Sequence, residues 1–156
     1  MLAPAPPAIV RSDSMNEAPA TSKPVVLVID DNPIIQRSIY FVLRDHGYKV
    51  SMSGEIADAL NIVRKERPSL ILLDINFPPD ASAGGGGARD GFWALGWMRR
   101  MDEVKNVPIV IISSDDPATA SPRAQAAGAD AYLHKPINKD LLILTVAELL
   151  KNNPRA

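Results

Sequence analysis

The stretch Leu70-Ile71-Leu72-Leu73-Asp74 decides the fold: four branched apolar residues in a row end on a carboxylate. A run without polar alternation suits a strand buried on both faces, as in a parallel sheet covered by helices. Asp74 then lies at the carboxyl end of that strand, the edge at which open α/β sheets place ligands and chemistry. Pro78, Pro79 and the glycines 84–87 follow, so the chain is expected to turn sharply after Asp74 and then wander. Taken alone, Asp74 is more readily a polar residue that merely ends a strand. The segments on either side decide the matter.

Upstream, Val25-Val26-Leu27-Val28-Ile29 is a second continuous apolar run, and it ends on Asp30-Asp31. Adjacent carboxylates at the end of a buried strand repel each other and cost desolvation, so a fold tolerates them best beside a cation. Asn32 can cap a helix with Pro33 at its first position. Ile35, Ile39, Val42 and Leu43 form its apolar face and Gly47 closes it. Tyr48 to Met52 reads as a short strand. Ala57, Leu60, Ile62 and Val63 mark a second helix running toward Arg67, ended by Pro68.

Downstream, Asp90-Gly91 restarts order, and Phe92, Leu95 and Met98 predict a third helix to about Met101. Trp93 and Trp97, four apart, share another face of it, as helix packing or as an aromatic patch for a partner. Pro108 introduces Ile109-Val110-Ile111-Ile112, which ends on Ser113-Ser114. Proline inside a helix costs about 3 kcal/mol or more. With Pro117 and Pro122 present, the fourth helix is therefore expected to start late, near Ser121 or Pro122, to be short, and to stop at Gly128. Ala131-Tyr132-Leu133 is a last short strand before His134-Lys135-Pro136. Asn138 caps a final helix through Leu142, Val146, Leu149 and Leu150 to Asn152. Leu141 and Leu144 add apolar surface to that helix, for burial against the sheet or for a dimer or partner face. The alternation βαβαβαβαβα means a parallel five-stranded sheet with helices on both faces.

Composition bounds the function. The 156 residues suffice for one domain with a core, plus tails. Residues 1–23, rich in Ala, Pro and Ser, read as a disordered tail, 24–152 as the domain, and 153–156 as a short C-terminal tail. Met15 is an alternative start. The net charge of −1 gives no global field toward nucleic acid or anionic membrane. The absence of cysteine removes disulfides, thiolate nucleophiles and thiolate zinc sites, and His46 and His134 alone do not make a histidine metal site. No apolar stretch approaches the roughly 18 residues of a membrane span, and the proline-broken start makes a poor signal peptide. A cytoplasmic location is the default expectation.

The strand ends gather Asp30 and Asp31, Asp74, Ser113 and Lys135 at one edge of the sheet. Three acids without a soft ligand suit a hard, octahedral cation, and Mg²⁺ takes one or two carboxylates together with phosphate oxygens and water. No base is available to a serine nucleophile, because strand alternation turns His134 away from Lys135. A carboxylate nucleophile remains, since Asp can accept a phosphoryl group as an acyl phosphate whose charge a metal and Lys135 would neutralise.

These residues resemble the receiver domain of two-component response regulators, over about residues 24–152. The resemblance implies a flavodoxin-like, doubly wound sheet in the order 2-1-3-4-5, with Asp74 as phosphoacceptor. It implies that Asp31 ligates Mg²⁺ directly, that Asp30 acts largely through water, and that the Asn76 carbonyl completes the protein's share. Ser113 matches the switch hydroxyl, Lys135 the lysine that bridges the phosphoryl group, and Tyr132 the aromatic switch. Lys135-Pro136 matches a peptide bond that is usually cis in the family.

The function so implied is a phosphoacceptor switch charged by a histidine kinase or a histidine phosphotransfer protein, catalysing only its own phosphotransfer and dephosphorylation. Output to a downstream protein would appear on the face of the fourth helix, fifth strand and fifth helix. With no room for a DNA-binding or enzymatic domain after Asn152, the expectation is a regulator that stands alone, without direct DNA or membrane binding. Three rivals exist. A haloacid-dehalogenase-like phosphatase needs a second acid two residues after its nucleophile, where this chain has Asn76, and an amide cannot serve as a general acid. A flavin- or nucleotide-binding module would place its phosphate beside Asp30-Asp31, which repel it. A pseudo-receiver would bind partners without phosphorylation, although every acceptor residue is present. The chain departs from the family at residues 79–89, where eleven residues with four glycines replace a couple. That segment reads as a tolerated loop insertion, or as a mobile lid bringing Asp80 or Arg89 to the site.

Overall fold

The computed structural model describes residues 23–76 and 91–152. The expectations placed on residues 1–22, on the glycine-rich insertion 79–89 and on 153–156 lie outside the described residues. Five strands form one parallel sheet in the order β2-β1-β3-β4-β5: β1 (Val25–Ile29), β2 (Lys49–Ser53), β3 (Leu70–Asp74), β4 (Ile109–Ser113) and β5 (Ala131–His134). The helices between and after them are α1 (Pro33–Asp45), α2 (Ile56–Glu66), α3 (Gly91–Met98), α4 (Pro117–Ala126) and α5 (Lys139–Lys151). This is the expected flavodoxin-like order.

The apolar runs behave as their composition dictates. All five residues of β3 and of β4 are buried. Because successive strand side chains point to opposite faces, the two faces carry separate cores. Leu27, Ile29, Ile71, Leu73, Ile109 and Ile111 pack with Val63 of α2, Leu95 and Met98 of α3 and Ala124 of α4. Val26, Val28, Leu70, Leu72, Val110 and Ile112 pack with Ile39 and Leu43 of α1 and Leu142 and Val146 of α5. Each large side chain so buried contributes about 1.5–3 kcal/mol. A one-residue slip would exchange the two cores, so the register is firmly set. It pairs Ile29 with Leu73 and Asp74 with Ile112.

Helix starts follow the polar residues. The Asn32 side chain accepts from the Ile34 and Ile35 N–H groups, with Pro33 at the first helical position. Asn138 caps α5 through the Leu141 N–H at 2.9 Å. Helix α2 ends at Arg67, which adopts the left-handed conformation with φ +51° before Pro68.

The expected late start of α4 is wrong. The helix begins at Pro117, with Asp116 as cap accepting from the Ala118 N–H at 3.0 Å. Proline at the first position lacks only an N–H that would have no helical partner anyway. Pro122 lies inside the helix. Its missing N–H costs one bond, while the turns before and after it bury Ala120 and Ala124. Leu141 and Leu144 are exposed rather than packed on the sheet. The stripe facing the core is Leu142 and Val146, with Leu149 and Leu150 partly buried beside it. Trp93 and Trp97 stack on each other with ring centroids 6.2 Å apart and planes 13° from parallel.

The end of the sheet away from the acidic residues is tied by Arg99. Its guanidinium donates to the carbonyls of Gly128 at 2.8 Å, Val107 at 2.6 Å and Val104 at 3.2 Å, and pairs with Asp130 at 2.6 Å. The same Asp130 oxygen accepts the Ile109 N–H that starts β4. Gly128 has φ +108°, and a Cβ there would also lie 3.4 Å from the Arg99 chain. Replacing Arg99 with alanine orphans these carbonyls and is expected to destabilise the fold by about 2–3 kcal/mol. Urea unfolding of the variant beside the parent measures it.

Candidate functional site: an acidic pocket at the carboxyl edge

The main-chain course of the sheet converges the predicted residues. Strand β1 delivers Asp30 and Asp31, β3 delivers Asp74, β4 ends on Ser113, and Lys135 follows β5, its N–H bonded to the Ser113 carbonyl at 2.8 Å. Asp30 is 0% and Asp74 2% exposed, while Asp31 is exposed. The Lys135 ammonium sits between the buried pair, 3.1 Å from Asp30 Oδ2 and 3.3 Å from Asp74 Oδ2. His134 is exposed at the end of β5.

The other carboxylate oxygens are held by main chain. Asp30 Oδ1 accepts the Asn32 N–H and Asp74 Oδ1 the Asn76 N–H, each at 2.9 Å. These bonds across two residues curl the chain immediately after each strand, which is why each acid stays at the sheet edge. Asp30 Oδ2 is buried and, among the described residues, makes no hydrogen bond of good geometry, so its contact with Lys135 is an ion pair only. Burial raises the pKa of Asp74 above the usual carboxylate range, the Asn76 N–H opposes this, and the Asp30 charge adds to it.

One carboxylate oxygen from each of Asp30, Asp31 and Asp74 can lie within 4.8 Å of the others. An all-oxygen anionic set, with one buried oxygen short of a hydrogen bond, fits a hard divalent cation such as Mg²⁺. Among the described residues only the Lys135 ammonium pairs with Asp30 and Asp74, so the three acids carry excess negative charge there, which a divalent ion offsets.

Ser113 is fully buried. Its hydroxyl donates to Asn76 Oδ1 at 3.3 Å and accepts the Asp115 N–H at 2.9 Å. Asp115 also meets Asn76 Nδ2 at 3.3 Å, and its carbonyl accepts the Tyr132 hydroxyl at 3.1 Å. Tyr132, half-buried, is thereby joined to Ser113 through the β4–α4 loop. The Lys135–Pro136 bond is cis, as the resemblance implied.

Two residues escaped the sequence reading. Asp115 bridges Asn76 and Tyr132, and Gln36 donates its side-chain amide to the Asp30 carbonyl at 2.5 Å. Neither sits at a strand end, and only the run Ser113-Ser114-Asp115-Asp116 hinted at a polar loop there. Beside Lys135, between α1 and α5, lies a groove of about 480 Å³ lined by Ile34, Ile35, Val42, Pro136, Ile137 and Leu142 among others.

The fold and site define an α/β protein with an acidic pocket and a buried lysine–aspartate pair at the carboxyl edge of its sheet. Residues 26–147 match the response regulator receiver domain, and the chain belongs to that family of signalling domains. It is 26% identical over 125 residues to the protein PilH of Pseudomonas aeruginosa, covering 80% of this chain and 96% of PilH. It is 25% identical to the polar-differentiation response regulator DivK of Brucella anthropi, covering 80% and 94%. Among solved structures, the chemotaxis protein CheY4 of Vibrio cholerae superposes with a TM-score of 0.72 at 26% identity, covering 83% of this chain and all of that one. Receiver domains bind Mg²⁺ at an acidic pocket and work with histidine kinases and downstream targets. No described helix is long and apolar enough to cross a membrane.

Proposed function

We propose that this chain is a phosphoacceptor switch in which Asp74 takes a phosphoryl group from phosphohistidine. The observation that carries it is Asp74 itself. Its carboxylate is buried at the end of β3, with one oxygen bonded to the Asn76 N–H and the other 3.3 Å from a lysine. A carboxylate so held has few rotamers left, and orientation of this kind lowers the barrier to displacement. An Asp74 oxygen attacks phosphorus in line, the phosphorus–nitrogen bond of the donor breaks, and the imidazole leaves with that electron pair. Lys135 stays beside the new acyl phosphate as a fixed cation. Asp30, Asp31, Asp74 and the Asn76 carbonyl would hold Mg²⁺, which offsets charge on the phosphoryl oxygens.

The switch follows from what the phosphoryl group offers. Ser113 now bonds Asn76; a phosphoryl oxygen on Asp74 is a stronger, charged acceptor for the same hydroxyl. Turning Ser113 removes the acceptor of the Asp115 N–H, and Asp115 carries the Tyr132 contact, so the change reaches β5 and the face of α4 and α5. The donor protein docks in the apolar groove between α1 and α5, which opens beside Lys135 and continues onto Ile34, 77% exposed.

Incubation of the purified protein with Mg²⁺ and acetyl phosphate should add one phosphoryl mass. Peptide mapping should place it on Asp74. An unmodified intact mass would sink the switch and leave a phosphorylation-independent interaction module.

A further inference from the structure

We infer that Gln36 is a positioning residue for the cation pocket: its side-chain amide holds the β1–α1 loop so that Asp30 and Asp31 face the metal. This rests on the cation reading given above. The ladder between β1 and β2 runs out at this point. The Asp30 N–H still reaches the Ser53 carbonyl at 3.0 Å, but the Glu55 N–H turns to the Ser53 hydroxyl at 3.2 Å instead of continuing the pairing. At the frayed end the Asp30 carbonyl receives the Gln36 amide at 2.5 Å. Gln36 can reach it because its own N–H is bonded to the Asn32 carbonyl at 3.1 Å in the first turn of α1, and Asn32 caps that helix.

The loop is thus closed at both ends. The Asn32 N–H binds Asp30 Oδ1, and the Gln36 amide binds Asp30 O from the helix side, so the Asp30–Asp31 peptide has little freedom to rotate. Asp31, exposed and one residue further on, takes its direction from that peptide. Residues that orient metal ligands change metal affinity by about 10–100-fold when removed. Gln36 supplies this orientation through a neutral donor, without adding charge to the pocket.

Methionine keeps the length and packing of Gln36 and removes the donor. Isothermal titration of the metal-free protein with MgCl₂ is expected to show roughly tenfold weaker binding in Gln36→Met. Hydrogen exchange at the Asp31 and Asn32 amides, read without metal, should be faster in the same variant. Gln36→Glu is the second arm, and it serves alone if methionine unsettles α1. A carboxylate added near a cation site tightens binding by charge alone, so weaker Mg²⁺ binding in Gln36→Glu isolates the lost donor. Gly54→Ala is the control, because its new methyl would meet the Asp30 carbonyl and the Gln36 amide only at 3.8 and 3.9 Å, ordinary contact. Parent-like binding in Gln36→Met, tighter binding in Gln36→Glu, or equal weakening in Gly54→Ala each overturns the inference. Parent protein that takes no Mg²⁺ overturns the cation reading, and this inference with it. Mg²⁺ binding that ignores Gln36 overturns the inference alone.

Discussion

Asp74→Asn is expected to take no phosphoryl group from acetyl phosphate and, at neutral pH, to unfold at a higher temperature than the parent. Both effects arise from one carboxylate. The amide is not a nucleophile toward phosphorus, so the intact mass should stay unchanged under conditions that modify the parent fully. The stability effect follows from burial. Asp74 is held above the ordinary carboxylate pKa by desolvation, with the Asp30 charge adding to it against the Asn76 N–H. The folded state then binds the Asp74 proton more tightly than the unfolded chain does. Stability therefore falls as pH rises through the window from the ordinary carboxylate value, about 3.9, to the raised one, and it levels off above. Asparagine has no such proton. The variant should gain on the parent across that window, keep its advantage at neutral pH, and lose it below the ordinary carboxylate pKa. Thermal unfolding of both proteins at a series of pH values, without Mg²⁺, measures it; a parent that is the more stable at pH 7 would contradict the assignment.

Lys135→Met carries the other large effect. Its ammonium is 3.1 and 3.3 Å from two carboxylates that are almost wholly buried. Removing one partner of a buried pair leaves uncompensated charge and costs roughly 3–5 kcal/mol. Because Asp31 keeps one side of the pocket open to water, the lower end, about 3 kcal/mol, is expected here. Added Mg²⁺ should restore much of the loss, since the acids then face a cation again, by an amount that grows with the ratio of free ion to its dissociation constant. Combining Lys135→Met with Asp74→Asn should cost less than the sum of the two, because the second substitution removes one of the orphaned charges. Denaturant titrations of the parent, both single variants and the double variant measure the coupling; additive free energies would mean that Lys135 is not neutralising Asp74. The acyl phosphate should also form more slowly in Lys135→Met.

Much of the pocket was legible along the chain. Val25–Ile29, Leu70–Asp74 and Ile109–Ser113 each announce a strand buried in the sheet, and the polar residues Asp30, Asp74 and Ser113 lie at the same edge, Asp30 just after its strand and the other two as the last residues of theirs. Parallel order brings those ends together automatically, so residue order alone gathers Asp30, Asp31, Asp74, Ser113 and Lys135. Helix α4 departs from the expected late start because proline carries two meanings. At Pro117 it starts a helix capped by Asp116, and at Pro122 the helix continues through the proline, with Ala120 and Ala124 buried on either side of it. The exposure of Leu141 and Leu144 was equally hidden, since two apolar faces on one helix compete for the sheet and geometry admits one.

The sequence by itself determined the fold class and which polar residues meet at one edge, because periodicity of apolar residues dictates which strands are buried and where each buried strand meets its polar end. Tertiary structure alone decided how the acids are held. That Lys135 lies between Asp30 and Asp74, that Asp115 joins Asn76 to Tyr132, and that Gln36 binds the Asp30 carbonyl depend on loops whose course no local pattern encodes. A hydrogen bond needs its partners within about 0.5 Å of place. Residue order along one strand carries no such distance.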